Sequence, residues 1–183
     1  MEREVLVTGV GGQGIQLLAK TLALAATREG RYAMLAADYG GEMRGGPSKA
    51  GVVIGDAPLM ALPILPSAWS AIFAHHRHSE GVEGRLRTGA LVLANTPLVD
   101  PGAFRADLRV FAVDAMARAK GAEAPNASGF VLLGAYNALT GLVRAGSLVS
   151  AMEELLPPYR RQHAAANARA LEAGAQALEG VAA

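Results

Sequence analysis

The chain has 183 residues, and 17 Lys and Arg against 16 Asp and Glu leave a formal charge of +1 at pH 7. That balance supplies no broad field for gripping DNA, RNA or an anionic bilayer, so nucleic acid is not an expected partner. Cysteine is absent, which excludes a thiolate-held iron–sulfur cluster, a cysteine zinc site and thiol catalysis within this chain.

Val5 to Val7 form an apolar strand that runs into Gly9-Val10-Gly11-Gly12-Gln13-Gly14, and a helix begins at Ile15. Glycines at 9, 11 and 14 allow a tight turn and close backbone approach, while the first helical N–H groups carry the positive end of the helix dipole. Strand, turn and helix start together make a place for an anionic group, phosphate above all. The helix runs to Glu29 and is apolar nearly all round, as for one laid on a sheet and covered from outside, and Gly30 ends it. Strands follow at Tyr32–Ala37 and Lys49–Ile54, joined by the glycine-rich loop Asp38–Ser48, which suits an antiparallel pair. Trp69–Ala74 and Ala90–Ala94 are the next strands, and Glu80, Glu83, Arg85 and Arg87 between them suggest a short surface helix. Arg109–Val113 is the last strand. Asp114 caps a brief helix through Lys120, Gly121–Asn126 is a linker, and the remainder is helical. Phe130, Leu133, Asn137, Thr140 and Val143 return at near-helical spacing, then Leu148–Leu156 and Tyr159–Leu178 follow, with Pro157-Pro158 as the break.

The expected class is α/β, a three-layer α/β/α arrangement around a mostly parallel or mixed Rossmann-like sheet with a helical C-terminal segment. One domain, 1–183, accounts for the length. Gln16, Lys20 and Thr21, then Pro63, Pro66 and Ser67, interrupt the longest apolar stretches, so no membrane span is expected. Met1-Glu2-Arg3-Glu4 lacks the start of a secretory signal, and the expected location is the cytoplasm.

Asp38 ends the second strand, where a dinucleotide fold uses a carboxylate to hold a ribose hydroxyl, so a free-standing NAD-binding module or dehydrogenase is one reading. The segment Tyr39-Gly40-Gly41-Glu42-Met43-Arg44-Gly45-Gly46-Pro47-Ser48 adds something that such a fold does not require. Arg44 brings a planar donor fork between glycines, which suits an anion, and Ser48 and Lys49 add a hydroxyl and a second charge. A turn closed by a Glu42–Arg44 pair is the plainer alternative. In His75-His76-Arg77-His78, neighbours on an extended chain face opposite sides and Arg77 repels a cation, so metal is not expected. A strand end facing a cleft still puts one of these histidines within reach of a substrate or partner chain. Gly55-Asp56 resembles the start of a thiamine diphosphate motif, but no asparagine follows before Asn95. Asn126 and Asn137 read as a cap or a buried hydrogen bond, and His163 as a surface residue. No Ser-His-Asp set or paired carboxylates support a hydrolase.

Taken together, Gly9-Val10-Gly11-Gly12-Gln13-Gly14-Ile15, the Tyr39–Ser48 segment and Phe130-Val131-Leu132-Leu133-Gly134-Ala135 resemble the gamma subunit, or gamma domain, of the 2-oxoacid:ferredoxin oxidoreductases. The resemblance runs nearly end to end and includes a short Leu-rich helix closing on Leu-Pro and Asn167 in the last helix. It implies a hetero-oligomer in which a 2-oxoacid is decarboxylated on thiamine diphosphate, electrons leave through iron–sulfur clusters to ferredoxin, and coenzyme A takes the acyl group. Thiamine diphosphate, magnesium and the clusters then belong to alpha, beta and delta partners. This chain would contact coenzyme A through Gly9, Gly11, Gly12, Gln13, Gly14, Arg44, Gly45, Gly46 and Ser48, positioning it without any catalytic or metal-binding residue of its own. Gly41 stands where the family commonly has proline, and His75–Ser79 replaces an asparagine–glutamine type of segment. Nothing selects among pyruvate, 2-oxoglutarate, branched-chain 2-oxoacids and indolepyruvate.

Overall fold

A β-hairpin inserted beside the first strand sets the architecture. The computed structural model describes residues 1–39, 45–60 and 65–178. Its strands are β1 (Glu2–Val10), β2 (Tyr32–Tyr39), β3 (Pro47–Gly55), β4 (Ala68–Phe73), β5 (Leu86–Asn95) and β6 (Arg109–Val113). Its α-helices are α1 (Ile15–Arg28), α2 (Ala115–Gly121), α3 (Ser128–Thr140), α4 (Ala145–Leu155) and α5 (Ala164–Ala177). The sheet order is β2-β3-β1-β4-β5-β6. β3 runs antiparallel to both β1 and β2, whereas β1, β4, β5 and β6 are mutually parallel. The link from β2 to β3 is too short for a parallel crossover, so the two strands close as a hairpin and β3 occupies the place beside β1.

The strands bury both faces. Val5, Val7, Val52, Ile54, Ile72, Leu91 and Leu93 join Leu18, Leu22, Leu132, Leu133 and Tyr136 in the larger core, under the α-helices. Leu6, Val53, Ala71, Phe73 and Val92 face the other way and are covered by Leu65, Val82, Val99 and Leu108. The α/β class and the mixed, mostly parallel sheet are as expected. Among the described residues the second face is covered by loops and 3-10 turns, at Glu83–Arg85 and Pro101–Ala103, with no α-helix. Gly81, Gly84, Pro97 and Pro101 break both connections before a helix can propagate, so the surface helix expected near Glu83 is a single 3-10 turn.

Local predictions also meet their causes. Gly30, at φ 77°, ends α1, and the Asp114 carboxylate accepts from Ala117 N–H at 2.8 Å to cap α2. Val143 falls outside α3, because Gly141 at φ 59° turns the chain one residue past Thr140. Asn137 then accepts from the Val143 N–H at 3.1 Å and donates to its carbonyl at 2.8 Å, holding the turn.

From β1 the chain crosses by way of α1 toward β2, and from β4 it crosses over the opposite face toward β5 and β6. The strand order therefore reverses between β1 and β4. In open α/β sheets the crevice outside the carboxyl ends at such a reversal is where ligands bind.

Candidate functional site

The glycine turn and the second glycine segment meet at that crevice. Gly11 N–H donates to Gly46 C=O at 2.8 Å, and a Cβ on Gly11 would lie 3.3 Å from Gly45 N. Gly12 and Gly14 are exposed, take φ of 102° and 75°, and have nothing within 4 Å of where a Cβ would stand. Gly45 is likewise exposed, at φ 74°. Gly14 is the N-cap of α1 and no side chain caps the helix, so the positive end of its dipole meets open space. Gly11, Gly12, Gly14 and Gly45 form the floor of a cradle suited to an anion.

Gly9, Gln13 and Ser48 serve the floor from beneath. Gly9 is buried, and a Cβ there would come within 2.6 Å of the Gln13 amide oxygen and 2.8 Å of Ile15 Cδ1. That absent methyl lets Gln13 fold back: its Oε1 accepts from Val10 N–H at 3.0 Å and its Nε2 donates to Ala74 C=O at 3.3 Å. Ser48 is 8% exposed, and its Oγ lies 3.4 Å from Gln16 Nε2, which also donates to Lys49 C=O at 2.8 Å. Arg44, and with it the alternative Glu42–Arg44 pair, lies outside the described residues.

The loop after β4 forms the second wall. Thr8 Oγ donates to His78 C=O at 3.2 Å, Lys49 Nζ to Glu80 C=O at 3.3 Å, and Ala74 N–H to Thr8 C=O at 2.8 Å. His75 Nδ1 accepts the Arg77 backbone N–H at 3.0 Å, which leaves the proton of the neutral ring on Nε2. Burial, and then the charges of His76, Arg77 and His78, hold this imidazole below its ordinary pKa. Arg77 is exposed and no carboxylate among the described residues pairs with it. No three His, Asp or Glu among the described residues converge as a metal site.

Sequence reasoning missed two supports. The Asn95 amide donates to Ala74 C=O at 3.0 Å and accepts from Ala115 N–H at 3.1 Å, tying the ends of β4 and β5 to α2. Gly129, in the first turn of α3, packs so tightly that a Cβ would lie 3.0 Å from Gln13 C=O. The small pair Ser128-Gly129 at the start of a helix was the sequence clue to that approach. A separate apolar cavity of about 470 Å³ lies between α3, α4 and α5, lined by residues such as Gly134, Ala138, Leu148 and Leu171, and shares no residue with either glycine segment. No helix of the described residues is long and apolar enough to cross a membrane.

Three known proteins frame this geometry. The chain is 34% identical over 143 residues to "Ketoisovalerate oxidoreductase subunit VorA" of Methanothermobacter marburgensis, covering 77% of this chain but only 30% of that protein's length. It superposes on the crystal structure of a keto/oxoacid ferredoxin oxidoreductase gamma subunit from Geobacter sulfurreducens with a TM-score of 0.80 at 25% identity, covering 97% of this chain and 96% of that one. A 2-oxoglutarate:ferredoxin oxidoreductase from Magnetococcus marinus, described with 2-oxoglutarate, coenzyme A and succinyl-CoA bound, shares the fold with a TM-score of 0.86 at 17% identity; 98% of this chain matches 31% of that one. The family model for pyruvate ferredoxin/flavodoxin oxidoreductase matches residues 4–177, and the chain belongs to that family.

Proposed function

We propose that the chain is the gamma-type subunit of a 2-oxoacid:ferredoxin oxidoreductase, acting as one domain and inactive until it joins alpha, beta and, in some assemblies, delta partners in the cytoplasm. Those partners hold thiamine diphosphate, magnesium and the iron–sulfur clusters; this chain has no cysteine with which to ligate a cluster. The assembled enzyme turns a 2-oxoacid anion and coenzyme A into acyl-coenzyme A, CO2, one proton and two electrons, and the electrons leave singly to ferredoxin. The chain's share is to receive coenzyme A at the β1/β4 crevice.

The observation that carries this reading is the 2.8 Å bond from Gly11 N–H to Gly46 C=O. It joins two glycine segments into one floor beneath the uncapped start of α1, where backbone N–H groups and the helix dipole favour phosphate. Such a floor orients a ligand and neutralises its charge, lowering the barrier without moving a proton. Coenzyme A in an oxidoreductase that shares the fold supports the choice of ligand. The dehydrogenase reading has less support, because β3 lies between β1 and β2 and takes Asp38 off the strand beside the glycine turn.

The test is coenzyme A-dependent viologen reduction by the complex assembled from all its subunits. Gly14→Asp, which sets a carboxylate at the helix start in a conformation that Asp tolerates, should raise the KM for coenzyme A about tenfold with cluster content unchanged. Arg44→Ala should raise that KM or weaken assembly. If both variants keep the parent KM and the parent assembly, the crevice does not receive coenzyme A.

A further inference from the structure

The proposed function leaves the His75–His78 loop without a task, although it is cationic, exposed in part and fastened to the site. Five basic side chains, Lys49, His75, His76, Arg77 and His78, gather where the carboxyl end of β4 meets the start of β3. The only acidic residue in the loop, Glu80, is exposed, and its carbonyl takes the Lys49 ammonium. Lys49 and Arg77 carry fixed like charge, and like charges do not collect at a strand end for stability, since their mutual repulsion works against folding. Here they are held together by the bonds from Thr8 to His78 C=O, from Gln13 to Ala74 C=O and from Ser79 Oγ to His76 C=O at 2.6 Å. Two of those three anchors come from β1 and the glycine turn itself, so the loop and the cradle are positioned as one unit.

We propose that this loop is the second anion-reading element of the crevice, with the Arg77 guanidinium and the Nε2–H of His75 binding a phosphoryl group of the ligand whose remaining phosphate lies over the glycine turn. The proposal rests on the reading of the crevice as a coenzyme A site and extends it to residues outside both glycine segments. His75 is suited to the task because Nδ1 is spent on the Arg77 N–H, which fixes the ring and leaves a donor on the other nitrogen. Arg77 is suited because its guanidinium has no carboxylate partner to give up among the described residues. His76, whose Nδ1 lies 2.8 Å from Leu98 C=O, is committed to the β5–β6 connection instead. Coenzyme A carries a diphosphate and a separate ribose phosphate, and either could meet the loop; dephospho-coenzyme A, which lacks the second, tells them apart.

The experiment uses the complete complex with Arg77→Gln and His75→Gln, each assayed with coenzyme A and with dephospho-coenzyme A. Loss of a charge-assisted hydrogen bond should raise the KM for coenzyme A about tenfold for Arg77→Gln and less for His75→Gln, with the change in KM and not in kcat. An unchanged KM for dephospho-coenzyme A would assign the loop to the ribose phosphate, and an equal rise would assign it to the diphosphate. Unchanged KM values for both substrates overturn the proposal, and if the complex then dissociates more readily, the loop is a subunit contact. Should Gly14→Asp still raise the KM while these two variants do not, the coenzyme A site stands and only the loop's part in it falls; if none of the three does, the site itself has failed.

Discussion

At the residue scale, His75 makes the site sensitive to pH. Burial, followed by the neighbouring cations, keeps its folded pKa below the ordinary value of about 6.5. Between those two values the unfolded chain binds a proton that the folded chain does not, so folding stability rises with pH across that window. The contribution is complete above about pH 6.5 and falls away as the pH drops toward the lowered value. Urea midpoints taken from pH 7.5 down to pH 5 should decline in the parent and decline less in His75→Gln. Gln13 is the other residue whose effect is separable. Its amide both caps Val10 N–H and reaches Ala74 C=O, so Gln13→Ala leaves a part-buried donor unpaired and should cost about 1–3 kcal/mol in chemical denaturation. The sequence pointed to Gln13 as a ligand contact, and in the structure its amide also ties the glycine turn to the end of β4. A side chain that serves a turn and one that serves a ligand sit at the same spacing, and only the fold reveals which way it turns.

At the element scale, the closest packing in the helical layer is between α3 and α5. A Cβ on Gly134 would lie 1.9 Å from Leu171 C=O, and one on Gly174 would lie 2.0 Å from Val131 C=O. Each helix thus presses a glycine against the backbone of the other, and a helical backbone cannot yield as a side chain does. Gly134→Ala and Gly174→Ala should each force the helices apart, at a cost of about 1–3 kcal/mol or more, read as a lowered thermal midpoint. Periodicity placed the start of α3 and the end of α5 to within two residues, but it began the last helix at Tyr159, where a 3-10 segment, Pro158–His163, precedes α5. It could not show why Gly134 stands inside the Leu-rich run, because a helix-interior glycine is unfavourable until the partner helix is known. Asn137 was legible as a buried hydrogen bond, and its partner, the Val143 backbone, was not: Val143 fitted the apolar spacing of a helix that Gly141 had already ended.

At the scale of the whole molecule, strand positions and the hairpin were legible, whereas the sheet order depended on a long-range choice. A hairpin can add its second strand outside the first or between it and β1, and local sequence does not separate the two. The inner placement of β3 buries Val52, Val53 and Ile54 on both faces of the sheet, which is where a continuous apolar run is stable. The same placement bears on function. In the register Thr8 lies opposite Lys49, and Lys49 opposite Asp38, so the backbone of Asp38 is two strand spacings from β1, about 9.6 Å, where a dinucleotide fold has one. The carboxylate that would hold an NAD ribose therefore starts from the wrong strand. A ligand at a hundred times its Kd stabilises a protein by about 2.7 kcal/mol, several degrees in a domain of this size. Millimolar NAD should move the thermal midpoint of the isolated chain by less than about 1 °C. A shift of several degrees, saturating with NAD concentration, would reinstate the dehydrogenase reading and remove the reason to seek partner subunits.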